Sequence, residues 1–164
     1  MKYIFFILFT STLFAGCKKE QDKKLLGGYF KFTVNGGAEK KIENGSGLYE
    51  NTFSCELFGD TALYINILKS YEGIGFYIKA SKINNGTYTF NQINRAYYTN
   101  PEDYKRYNTD ATHTGQATIQ RGTFQATSLL NTMQGTFNFT LVDTFSGKSI
   151  DITNGSFLME ITER

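Results

Sequence analysis

From Gly27 onward, apolar residues recur at every second position rather than every third or fourth, the period of half-buried strands. Tyr29 to Val34 puts Phe30, Phe32 and Val34 on one face. Asn35-Gly36-Gly37 follows, a turn signal because Asn and Gly tolerate positive φ. Ala38 to Glu43 alternates weakly as a return strand. Phe53, Cys55 and Leu57 share a face, as do Leu63, Ile65 and Ile67, then Ile74, Phe76 and Ile78. Asn84-Asn85-Gly86 turns the chain into Thr87-Tyr88-Thr89-Phe90. Ala117 and Ile119 lead through Arg121-Gly122 to Phe124 and Ala126. Phe137, Phe139 and Leu141 precede a loop over Asp143–Lys148, then come Ile150 and Ile152, a turn signal at Asn154-Gly155, and Phe157, Met159 and Ile161. About ten short strands 8–12 residues apart, with no helical stripe, predict an all-β chain of hairpins. Alternation buries one face of each strand and wets the other, so the predicted architecture is an antiparallel β-sandwich, Ig-like in the broad sense. The alternative is a lipocalin-like up-and-down β-barrel, which would enclose a ligand chamber.

The segment from Gln92 to His113 interrupts this rhythm and reads as a long loop or a short helical turn. Long loops in compact domains are often functional. It concentrates Arg95, Tyr97, Tyr98, Tyr104, Arg106 and Tyr107. Tyrosine and arginine are the residue types enriched at recognition hot spots, and aromatic faces also stack on sugars. These six are the candidate ligand-binding residues. The structural alternative is that Tyr97 and Tyr98 continue a strand while the others pin the loop to the core.

The N-terminus predicts an address. Met1-Lys2 precedes an apolar run from Tyr3 to Phe14, broken only by Thr10, Ser11 and Thr12. That is the layout of a secretory signal, and it is shorter than the roughly 20 apolar residues a membrane-spanning helix needs. The run ends in Leu13-Phe14-Ala15-Gly16-Cys17, which resembles the lipobox of bacterial lipoproteins. The resemblance implies cleavage after residue 16 and acylation of the Cys17 thiol. More than one acyl chain makes a stable membrane anchor where one alone is marginal. Residues 17–26 then form the lipidated cysteine and a solvated tether, with residues 27–164 as one β-domain. Lys18 after the cysteine, by likeness to enterobacterial sorting, points to the outer membrane; the leaflet stays open.

Composition narrows the function. Only Lys2 leaves with residues 1–16, so the formal charge falls from +2 to +1. Nothing there gives the clustered basic face that nucleic acid requires. With Cys17 lipidated, Cys55 has no intramolecular partner, and it reads as a small buried hydrophobe. His113, the one histidine, lies beside Asp110; two ligands make no zinc centre, and a solvated loop histidine is the expectation. Gly45-Ser46-Gly47 lacks the setting of a nucleophile elbow. Glu102-Asp103 is an adjacent acidic pair that only loop geometry could aim together. No cofactor, metal or catalytic cluster is expected.

Gly135-Thr136-Phe137-Asn138-Phe139, Gly147-Lys148 and Ile152-Thr153-Asn154-Gly155-Ser156-Phe157 together resemble a family of small bacterial lipoproteins built on a domain of unknown function. There a G-T-F-x-F strand leads through a glycine loop to an I-T-x-G-x-F hairpin. Gly86-Thr87-Tyr88 and Phe32-Thr33-Val34-Asn35-Gly36 share the likeness. The resemblance implies a lipoprotein β-domain and carries no functional residue. The expectation is therefore a membrane-anchored, non-enzymatic binding or interaction module with a glycan or protein ligand. A carrier of a small lipophilic ligand is the alternative, and a hydrolase of dispersed carboxylates stands behind both.

Overall fold

A computed structural model describes residues 28–43, 51–123 and 131–164. The signal, Cys17, the tether, Gly45-Ser46-Gly47, Phe124 and Ala126 lie outside the described residues. Twelve strands follow one another: β1 (Tyr29–Val34), β2 (Lys40–Glu43), β3 (Asn51–Phe58), β4 (Ala62–Lys69), β5 (Glu72–Lys79), β6 (Gly86–Phe90), β7 (Arg95–Thr99), β8 (Arg106–Asn108), β9 (Gly115–Thr123), β10 (Asn131–Val142), β11 (Ser149–Glu160) and β12 (Thr162–Glu163). No helix occurs among the described residues. The all-β expectation is what the structure shows.

The strands belong to one hydrogen-bonded sheet in the order β12-β3-β4-β5-β7-β8-β10-β11-β1-β2, with β9 paired to β10 and β6 paired to β9. The sheet curls into a half-barrel. Every ladder is antiparallel except the short pairing of β12 with β3. That pairing matters because β12 continues β11. One continuous segment thus joins the eighth strand of that order to its first members and helps hold the curl.

Phenylalanines fill the inside of the curl. Phe30 stacks on Phe157 at 5.5 Å, Phe137 stacks on Phe139 at 5.2 Å, and Phe76 meets both pairs and Phe90. All six of these and Phe32 are buried. Aromatic rings bury large areas, which is how a chain without tryptophan builds its core. An interior filled this way offers no support for a ligand chamber.

The glycine motifs have a packing reason. Across β10 and β11, Gly135 faces Phe157 and Phe137 faces Gly155. Each ring lies over the opposing glycine: a Cβ on Gly135 would come within 2.8 Å of the Phe157 ring, and one on Gly155 would meet the Phe137 ring. The pairs are reciprocal, so two adjacent strands interlock ring over backbone.

Two sequence expectations are corrected. Asn154-Gly155 is not a hairpin turn, because β11 runs through it. Asn154 adopts φ 53, and the register slips there so that Thr153 and Asn154 oppose Asn138. An Asn-Gly pair supplies the left-handed backbone a bulge needs as readily as the one a turn needs. Nor is the segment from Gln92 to His113 a long loop or helical turn. It contains the β7–β8 hairpin, with Tyr98 opposite Tyr107, and β7 also pairs with β5. The Asn35-Gly36 turn did form, with φ 50 and 69 and a 3.0 Å bond from the Gly37 amide to the Val34 carbonyl.

Candidate functional site

Four connections gather at one end of the half-barrel: β1–β2, β4–β5, β7–β8 and β10–β11. Two carboxylates there, Asp143 and Glu72, tie the connections together. Asp143 is nearly buried and accepts bonds from the Phe145 amide at 3.0 Å and the Ser146 hydroxyl at 2.5 Å. Lys105, from the β7–β8 connection, reaches the same carboxylate at 3.1 Å. The Ser146 hydroxyl, the Phe145 amide and Lys105 hold the Asp143 carboxyl down at about 2. Burial works against Asp103, but bonds from the Lys105 amide and the Tyr107 hydroxyl prevail and lower it.

The hairpin splits the six predicted residues by strand alternation. Tyr98 and Tyr107 point inward, with rings in the core and hydroxyls at the loop end. Tyr107 donates to Asp103 at 2.9 Å, and burial with that carboxylate pushes its phenol up to about 12. Tyr98 donates to Glu72 at 2.7 Å, and Lys40 meets the same Glu72 oxygen at 2.9 Å. This chain of contacts joins β7, β5 and β2. Burial, then Glu72, raises the Tyr98 phenol far above its ordinary range.

Arg95, Tyr97 and Arg106 project from the outer face. Tyr97 lies across Gly75 of β5 and donates its hydroxyl to Asn66 of β4. The Arg106 guanidinium sits 4.0 Å from the centre of the Tyr97 ring. Arg95 donates to the Gln92 carbonyl at 3.0 Å. Tyr104 stands at the hairpin tip, apart from the other five. The six residues therefore do not form one surface, because neighbours on a strand face opposite ways.

What Tyr104 does join is Tyr71, in the β4–β5 turn, edge to face at 5.3 Å. The two are 65% and 68% exposed, and Phe145 on the β10–β11 connection is fully exposed. Tyr104 holds φ 57, a conformation bulky residues seldom adopt. Two depressions flank Lys40 beside these rings. One of about 350 Å³ is lined by Lys69, Tyr71 and Pro101, the other of about 410 Å³ by Asn35, Asn100, Glu102 and Lys148. Tyr71 and Phe145 escaped the sequence reading. The signal was present: each is a large aromatic placed in a turn, where the strand pattern gives it no core to enter.

Elsewhere the candidates are local. Asp110 accepts bonds from the backbone amides of Thr112 and His113 at 2.8 and 2.6 Å and lies 3.0 Å from the His113 ring. Those amides lower the Asp110 carboxyl, so the pair closes a turn. No three His, Cys, Asp or Glu side chains come together as a metal site among the described residues. Cys55 is buried, and burial, then Glu56, pushes its thiol up to about 12.

The family model of a domain of unknown function (DUF6252) matches residues 50–159, from the edge of β3 to nearly the end of β11. Neither a curated protein nor a solved structure matches the chain.

Proposed function

The chain belongs to the family of the domain of unknown function DUF6252, and from there we propose that it is a non-enzymatic binding module. Its loop end is the contact surface for a protein partner, and lipid on Cys17 holds it to the bacterial outer membrane. The observation that carries this reading is the exposed Tyr71–Tyr104 pair, one member of which keeps a strained backbone while turning its ring to solvent. Strain of this kind costs on the order of 1–3 kcal/mol and persists where surroundings over-determine it, which is typical of functional sites. Mixed charge around clustered aromatics is also the make-up of a protein interface.

Orientation agrees. β1 runs from Gly28 toward the Asn35–Gly36 turn at the loop end, about 20 Å along the strand. A tether on Cys17 would join the described chain at Gly28, the end opposite the aromatics.

Affinity capture from detergent-solubilised envelopes tests the contact. A discrete partner recovered with wild type should be lost with Tyr71→Ala/Tyr104→Ala and kept with Tyr77→Ala. Equal recovery by the double variant overturns the site. Labelled palmitate should enter the wild-type chain and not Cys17→Ser; a purified native chain that keeps Met1 overturns the anchor.

A further inference from the structure

A second surface differs in kind from the loop end. Around Thr136, the outward side chains of β6, β9, β10 and β11 are hydroxyls and amides. The registers set Thr87, Thr118, Thr136 and Ser156 in one row across the four strands. Thr89, Gln116 and Asn138 form the next, and the β11 bulge brings Asn154 opposite Asn138. At the bulge the face sinks into a depression of about 360 Å³. Its lining includes Gln116, Thr136, Asn138, Asn154 and Ser156 and no charged side chain.

Elsewhere in these strands outward polar groups find partners: Thr33 bonds Thr153 at 2.7 Å, and Thr140 bonds Asp151 at 2.8 Å. Of the six polar lining side chains, Thr118 bonds Thr87 at 2.8 Å; the other five make no hydrogen bond to another described residue. Five groups that both donate and accept thus converge on one hollow with their capacity unspent.

We propose that this hollow and its two rows bind a neutral glycan. A charged ligand would bring an ion to a surface with no counter-ion, an unfavourable desolvation. An apolar protein segment would find hydroxyls and amides rather than the aromatic anchors such contacts use. Sugar hydroxyls also donate and accept together, and they match this lining group for group. Within each row, side chains on neighbouring strands repeat at about 4.8 Å, close to the length of one sugar in an extended chain, so the glycan lies across the strands. Asn154 is held at φ 53 by the bulge, which seats its amide at the wall of the hollow.

Affinity electrophoresis of the full chain in detergent tests the proposal, and it does so separately from the loop-end contact. The gels carry hydroxyethylcellulose, soluble starch or galactomannan, with alginate as the charged control. Wild type should be retarded by at least one neutral polymer and not by alginate. Gln116→Ala/Asn138→Ala should weaken that retardation about tenfold or more, since each change leaves ligand hydroxyls unpaired. Thr136→Val, which keeps the strand's branched shape, should weaken it too, while Tyr71→Ala/Tyr104→Ala should not. Migration unaffected by all three neutral polymers, equal retardation by alginate, or retardation that survives the Gln116/Asn138 and Thr136 variants overturns it.

Discussion

The β10–β11 and β7–β8 hairpins share one sheet, joined through the pair Val142–Asn108, yet they use alternation for different ends. In β10–β11, twelve residues a side put phenylalanines inward and small polar groups outward, and ring-over-glycine pairs lock the strands. In β7–β8, five and three residues carry tyrosines on both faces. Within β10 and β11 the phenylalanine rings all go to the core. A tyrosine can fill the core and still send its hydroxyl to the rim, as Tyr98 and Tyr107 do, or lie on the surface and anchor itself by one bond, as Tyr97 does. The first hairpin is a wall; the second is a wall that also carries aromatic and guanidinium side chains on its outer face.

The difference is broken most severely in the wall. Gly155→Val forces a branched side chain into space the Phe137 ring holds, and Gly135→Val does the same against Phe157. Either should cost about 4 kcal/mol or more, the range of severe overpacking, visible as loss of the cooperative urea transition. A smaller effect separates the two faces of β7–β8. Tyr107→Ala empties a buried aromatic site and should cost about 3–5 kcal/mol by urea denaturation. Tyr97→Ala, which removes a half-exposed ring, should cost about 1 kcal/mol. Equal losses would mean that alternation does not divide the hairpin as described.

The smallest effect lies where the hairpins meet. The folded Asp143 carboxyl is depressed from 3.8 to about 2, so its contribution to stability is complete above the unfolded value. It drains away as pH falls from about 4 toward 2. Asp103 and Asp110, also lowered, act with the same sign. Melting temperature followed from pH 5 to 2 should fall for wild type and fall less steeply for Asp143→Asn, which has no charge to lose. Parallel curves would show that the Lys105–Asp143 tie does not couple the two loops.

Most strand assignments were legible because burial of every second side chain leaves its period in the letters, as at Phe30 and Phe32 or Phe137 and Phe139. The Asn35-Gly36 turn was legible for its backbone chemistry. The same chemistry misled at Asn154-Gly155, since a bulge and a turn ask for the same left-handed residue. It was the partner strand β10 that decided between them. The six-residue candidate site was half legible: Tyr and Arg marked the hairpin, but their clustering in sequence concealed that Tyr98 and Tyr107 face away from Tyr97 and Arg106.

By itself, then, the sequence determined the strands and their inward faces, because these follow from local periodicity. The tertiary structure alone decided that the strands form one curled sheet. It also brought Tyr71 to Tyr104 and assembled the row Thr87, Thr118, Thr136 and Ser156. Those arrangements join residues far apart along the chain, and strand order and register, which no short stretch of sequence encodes, are what bring them together.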